Sequence, residues 1–237
     1  MADRKKSPKR WLHDRRLASE YSMLVGVDEV GRGCLAGPVV AAAVCLDKGF
    51  FGSRARRTVC LEMRDSKQLS AERREALVAD MRKWQADGLL SFEIAEGSVA
   101  EIEQLNILEA NTLAMRRALA ALLPGQINWE SEGAPKILID GRPVKRLGYP
   151  HDAIVKGDDK SLVIAMASIL AKVHRDQLME GICEQYPAYR FSENKGYGTG
   201  VHRAALLRDG PCPIHRMSFL QKILSDPASN LQTELPI

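Results

Sequence analysis

A chain of 237 residues with 45% hydrophobic and 27% charged side chains holds enough apolar surface for one sizeable core, and its net charge is only +4. No apolar run approaches the roughly 18 residues of a membrane span, and no apolar stretch follows the basic N-terminus, so neither a spanning segment nor secretion is expected. The five cysteines (Cys34, Cys45, Cys60, Cys183, Cys212) form no C-x-x-C pair, which speaks against a disulfide framework or a structural zinc site and for reduced thiols in the cytoplasm.

Residues 1–22 are basic and poorly periodic, and are expected to form a solvated tail running into a short helical turn around Trp11 to Glu20. The β-branched runs Met23–Val27 and Val39–Val44 read as an antiparallel strand pair. Between them stand adjacent carboxylates, Asp28 and Glu29, and the sequence Gly31-Arg32-Gly33. Asp47–Met63 reads as an irregular basic loop. Ser70 is a suitable N-cap for a helix through about Trp84, with Leu77, Val78, Met81 and Trp84 on one face. Ser91–Ala95 suggests a strand and Val99–Leu105 a short helix. Asn106 followed by Glu109 opens another helix, whose stripe Leu108, Met115, Leu119 and Leu122 is expected to face the core until Pro124-Gly125.

Two short strands follow, Lys136–Ile139 and Ala153–Val155, and each delivers an aspartate just beyond its end, Asp140 and Asp158. A helix rich in small residues runs from about Lys160 to Cys183, Pro187 stops it, and a last helix spans about Val201 to Arg208. The pattern is α/β. Its expected divisions are a tail and short helix over 1–22, a catalytic domain over 23–224, and a frayed tail over 225–237.

Open α/β sheets place their sites beyond the carboxyl ends of parallel strands, and here three strand ends carry Asp28, Glu29, Asp140 and Asp158. Four hard oxygen donors suit magnesium or manganese, and two such ions can stabilise both oxygens of a phosphoryl transfer. Each member also has a plainer role: a strand-end turn for Asp28-Glu29, a turn for Asp140-Gly141, and a helix N-cap for Asp158. Neighbours on a regular strand point to opposite faces, so Asp28 and Glu29 share a site only if the strand bends or ends there. Gly31-Arg32-Gly33 matches neither a P-loop nor a dinucleotide fingerprint. Tyr197, between glycines, is free to stack on a sugar or base. Ser168, Lys172 and Asp176 share one helical face, which makes Lys172 either a phosphate contact or the partner of Asp176. His174, His202 and His215 lack metal-ligand spacing and read as loop and surface residues.

Taken together, GVDEVGRGCLAGPVVAAAV, DSKQLS, NILEANTLAMRRA, LIDG, VKGDDKSLVIAMASILAKVHRD, KGYGTG and PIHRMSF closely resemble bacterial ribonuclease HII, in that family's order, from Gly26 to Phe219. The resemblance implies an RNase H-like fold: a mixed, mostly parallel five-stranded sheet flanked by helices, with a C-terminal helical extension. It implies hydrolysis of the RNA strand of RNA/DNA hybrids and cleavage at ribonucleotides embedded in duplex DNA, with Mn2+ or Mg2+, by a monomer. By the same resemblance Asp28, Glu29, Asp140 and Asp158 are the metal-binding catalytic carboxylates. Gly31, Arg32, Gly33 and Tyr197 correspond to elements that read the ribose 2′-hydroxyl, and Lys67 and Lys172 to phosphate contacts. Arg142 stands directly after Asp140-Gly141, where the family usually has an Asn first. The related ribonuclease HIII, with its additional N-terminal substrate-binding domain, fits less well, and the tail after Ser225 shows no clear sliding-clamp-binding motif.

Overall fold

The structure is a computed structural model that describes residues 9–63 and 69–225. Five strands form one sheet in the order β3-β2-β1-β4-β5, with β1 (Leu24–Val30) at its centre. Strands β2 (Val39–Leu46) and β3 (Ser91–Gly97) form an antiparallel meander from β1, whereas β4 (Lys136–Asp140) and β5 (Asp152–Ile154) add in parallel on the other side. Four strands therefore point the same way and β2 alone runs against them, the mixed, mostly parallel sheet expected from the sequence.

Strand β2 is buried along its whole length, which the run Val39 to Leu46 permits because it has no polar side chain to strand. Its two faces meet two helices. On one side lies the long α7 (Leu162–Gln185), whose residues from Leu162 to Ala171 are all buried. It comes so close to β1 that a Cβ on Gly26 would lie 2.4 Å from the Val163 carbonyl carbon. On the other side lies α5 (Ile107–Leu122), whose alanines Ala114 and Ala118 let it settle onto the equally small Ala41 and Ala43, while Ala110 packs with Val39. The buried stripe of α5 is thus Ala110-Asn111, Ala114-Met115 and Ala118-Leu119. Leu108, expected in the core, stands at the helix start, 59% exposed.

Two stretches are more ordered than the sequence suggests. Helix α1 (Lys9–Glu20) contains the helical turn expected around Trp11 to Glu20, but it is docked rather than solvated: Trp11, Asp14 and Ala18 are buried, and the Trp11 ring packs against Phe50 and Phe51. Asp47–Met63 is no loop either. Asp47 caps a 3-10 turn (Lys48–Gly52) and Ser53 caps α2 (Arg54–Cys60), each through a side-chain oxygen that accepts a backbone N–H. The expected helix after Ser70 is α3 (Ala71–Ala86), with Leu77, Val78, Met81 and Trp84 buried as the spacing predicts. The short α4 (Val99–Leu105) starts with a full capping box between Ser98 and Glu101. The five cysteines are unpaired thiols.

Beyond α7 the chain builds a second small core from Leu35, Met179, Tyr189, Phe191, Leu206 and Leu220, closed by α8 (Phe191–Asn194), α9 (Gly200–Asp209) and α10 (Met217–Ser225). His202 and His215 lie inside it, contrary to the surface roles expected of them. Burial holds the His215 imidazole down at about 4, against an ordinary 6.5, with Cys212 and the Tyr189 ring as its neighbours. A depressed histidine contributes stability that is complete above pH 6.5 and is lost as pH falls toward 4. Urea titrations at pH 7 and 4.5 are therefore expected to show an acid loss about 2–3 kcal/mol larger in the wild type than in His215→Gln. Equal losses would remove the histidine from this role.

Candidate active site

Parallel pairing decides which carboxylates meet. Val27 faces Ile139 across β1 and β4, so the next residues along, Asp28 and Asp140, arrive together where β4 stops. Strand β1 itself neither bends nor ends between Asp28 and Glu29, but continues to Val30. The two carboxylates accordingly leave opposite faces. Asp28, 7% exposed, takes a hydrogen bond from Ser168 of α7, while Glu29 takes one from Asn111 of α5. Both still feel the charge of Asp140, because β4 ends beside them and leaves the top of the sheet open. This corrects the expectation that a kink must unite the pair.

Burial pushes the Asp28 carboxyl well above the usual carboxylate range, and the charges of Glu29 and Asp140 push it further. The Ser168 hydroxyl and the Glu29 N–H, 2.8 Å from Asp28 Oδ1, oppose the shift. Glu29 is raised by burial too, and is held back by Arg32, whose Nη1 lies 2.9 Å from Glu29 Oε1. Asp140 Oδ1 accepts the Gly157 N–H at 2.6 Å, which ties the strand end to the short α6 (Gly157–Lys160) that carries Asp158. Asp158 does not cap α7. Ser161 does, while Asp14 of α1 accepts from both the Ser161 hydroxyl and the Val163 N–H. Arg10 of the same helix donates to the Asp158 carbonyl at 2.7 Å.

Among the described residues no three His, Cys, Asp or Glu side chains are grouped closely enough to enclose an ion. The donor set nevertheless fits a hard divalent cation, since its oxygens are anionic and gather at one end of the sheet, where the charge of Asp140 raises the proton affinity of both Asp28 and Glu29.

The loop after β1 lies against this acidic end and is held from below by two buried guanidiniums. Arg175 donates to the carbonyls of Pro38, Ala36 and Lys195, and Arg216 to those of Gly37 and Arg32. Gly31 must be glycine for internal reasons: its φ is +92° and a Cβ would lie 2.3 Å from Arg175 Nε. Gly33 has no such reason, for a Cβ there would meet no protein atom within 4 Å. Tyr197, 38% exposed, reaches the same loop through a hydrogen bond between its hydroxyl and the Cys34 thiol. Lys172 is the ion-pair partner that the helical spacing allowed, with Nζ 2.6 Å from Asp176 Oδ1 and Arg74 on the other carboxylate oxygen. Lys67 lies outside the described residues.

Sequence reasoning missed Asn111 and Ser168. Asn111 is three residues after Leu108 and four before Met115, a polar residue in register with an apolar stripe, and that interruption is the signal that marks it. Ser168 stands in the sequence only as the residue one helical turn before Lys172, which gives no sign of its bond to Asp28.

The family model described as Ribonuclease HII matches residues 25–222. A Ribonuclease HII of Hyphomonas neptunium is 45% identical over 208 residues, covering 85% of this chain and 95% of that one. A Ribonuclease HII of Rhodospirillum rubrum is 47% identical over 196 residues, covering 83% of each. Among solved structures, the RNase HII of Archaeoglobus fulgidus in its complex with PCNA superposes with a TM-score of 0.64 at 25% identity, covering 90% of this chain and 98% of that one. Bst-RNase HIII in complex with Mn2+ shares the fold at 18% identity, with a TM-score of 0.62 over 94% of this chain and 75% of that one.

Proposed function

This chain belongs to the ribonuclease HII family, nucleases that degrade the RNA of RNA/DNA hybrids, and on that premise we propose that it also cleaves at single ribonucleotides embedded in duplex DNA. The products would carry 3′-hydroxyl and 5′-phosphate ends. The observation that carries the reading is the junction of two surfaces at one point: the carboxylates Asp28, Glu29 and Asp140, and beside them a loop whose Gly33 faces open space.

Asp28, Glu29, Asp140 and Asp158 would hold the divalent ions, and the neighbour solved with Mn2+ supports that choice. Bound magnesium or manganese supplies Lewis-acid chemistry at a phosphodiester, lowering the proton affinity of water and neutralising the leaving oxygen. Asp28 is the anchor of the set, because it is the most buried and is fixed by both Ser168 and the Glu29 N–H. Asn111 and Arg32 orient Glu29 from two sides, and Arg32 can exchange the carboxylate for a backbone phosphate. At Gly33 a sugar edge can reach the main chain without meeting a Cβ, and a 2′-hydroxyl can then both donate and accept hydrogen bonds there. Tyr197 stacks against the same sugar, and Lys67 lends positive charge to the flanking phosphates, whereas the charge of Lys172 is engaged by Asp176. The catalytic unit spans residues 23–224 with α1 docked on it, and the enzyme works as a monomer in the cytoplasm.

The test is a duplex containing one ribonucleotide, set beside a long hybrid and a branched all-DNA substrate, with Mg2+ or Mn2+ and with chelator. Metal-dependent cleavage confined to the ribonucleotide-containing substrates is expected. Cleavage of branched all-DNA would instead identify a resolvase-like nuclease on the same fold, and chelator-insensitive binding without cleavage a passive binder. Tyr197→Ala is expected to lower kcat/KM at the single ribonucleotide roughly tenfold, the scale of one lost stacking contact. An unchanged value would remove Tyr197 from ribose reading.

A further inference from the structure

Two buried histidines join the elements proposed to read the ribose. His202 opens toward Tyr197, with Nδ1 2.8 Å from the Tyr197 carbonyl, and its Nε2 lies 2.9 Å from Nε2 of His215. Both rings are enclosed, His215 by Tyr189 at 4.8 Å between centroids and His202 by Phe191 at 5.3 Å.

Only one arrangement of protons satisfies this chain with neutral rings. A carbonyl can only accept, so His202 carries its proton on Nδ1 and accepts at Nε2. His215 must then donate from Nε2, which leaves its Nδ1 to accept the Cys212 N–H at 2.9 Å. The bonds run in one direction, from Cys212 through His215 and His202 to the Tyr197 carbonyl. Burial lowers the proton affinity of both rings and so favours this neutral state.

The far end of the chain is tied to the other reading element. His215 forms an isolated β-bridge with Ala36, and the next residue, Arg216, donates its backbone N–H to Leu35 and its guanidinium to the carbonyls of Arg32 and Gly37. One segment therefore holds Leu35 to Gly37, just after the Gly31–Gly33 loop, through its backbone, reaches the loop itself at the Arg32 carbonyl through Arg216, and grips the Tyr197 turn through the histidine pair. The Tyr197 carbonyl, which also accepts the Thr199 N–H at 2.8 Å, is turned inward, and this leaves the phenol partly exposed beside Cys34.

We propose that His202 and His215 are positioning residues that set Tyr197 at its distance from the Gly31–Gly33 loop, and so determine how well a ribonucleotide is discriminated. This rests on the reading of Tyr197 and Gly33 as the ribose-recognising pair.

A double-mutant cycle tests it. His202→Phe keeps an aromatic ring between Phe191 and Tyr189 but loses the bond to Tyr197, whereas His202→Asn can still donate to that carbonyl. With the single-ribonucleotide duplex, His202→Phe is expected to lower kcat/KM roughly tenfold in the wild-type background, and less than about twofold when Tyr197 is already alanine. His202→Asn is expected to recover most of the loss. A similar drop in both backgrounds would show a general structural role and overturn the proposal, as would wild-type behaviour of His202→Phe while Tyr197→Ala is impaired. If Tyr197→Ala alone is unimpaired, the ribose reading fails and the positioning role falls with it, a result distinct from the other two. Should His202→Phe not fold, the same cycle with His215→Leu, which has no donor for His202 Nε2, checked by thermal melting, decides between these outcomes.

Discussion

Asp28→Asn is expected to abolish cleavage and at the same time to stabilise the fold. The carboxyl is buried beside Glu29 and Asp140, and its charge is unfavourable there for a structural purpose. Asparagine keeps an oxygen to accept from the Glu29 N–H and the Ser168 hydroxyl, but removes the charge that a cation requires. A gain of about 1–2 kcal/mol corresponds to a melting temperature higher by about 3–6 °C for a chain of this length. Turnover on a hybrid should fall by on the order of 10³-fold, since several kcal/mol of charge stabilisation are lost. Thermal melting in chelator and single-turnover cleavage in Mn2+ check the two halves. Wild-type turnover would end the assignment of Asp28, and a lower melting temperature would show that its charge serves the fold.

The second large effect lies far from the reacting phosphate. Asp14→Ala removes the acceptor for the Ser161 hydroxyl, for the Val163 N–H and for His13, whose Nδ1 is 2.6 Å away. Two of those donors are buried at the start of α7, the helix that carries Ser168 and Lys172, and orphaning them costs about 2–4 kcal/mol. A melting temperature lower by about 5–12 °C is expected, against no change for the exposed neighbour Arg15→Ala. Because Arg10 of α1 also holds the Asp158 carbonyl, activity should fall further than the folded fraction accounts for. An unaltered melt would show that α1 is dispensable to the fold.

The carboxylates were legible from sequence because strand propensity and turn residues place them at strand ends, and because the surrounding motifs are specific. Their geometry was not. The proximity of Asp28 and Asp140 comes from the pairing register of β1 with β4, which no local pattern contains. Docking of α1 was hidden for a related reason: Trp11, Asp14 and Ala18 share one helical face, but an aspartate in that stripe looks like solvent exposure until its partners in α7 are known. Likewise the partnership of His202 and His215 depends on how α9 and the segment before α10 fold onto Tyr189 and Phe191, and spacing along the chain says nothing of it. Helix α3 was readable because its cap, Ser70, acts within a single turn.

The register that joins β1 to β4 also orders events in time. In the unfolded chain Asp28 and Asp140 are far apart and repel one another little. Their repulsion, absent at the outset, develops only as the parallel pair closes, and a parallel pair must first close the long loop between its strands. The conflict among the carboxylates therefore belongs to the closed β1–β4 pair and not to the open chain. Relieving that charge lowers the free energy of the native molecule and leaves the open chain nearly untouched, so the gain is one of the folded state.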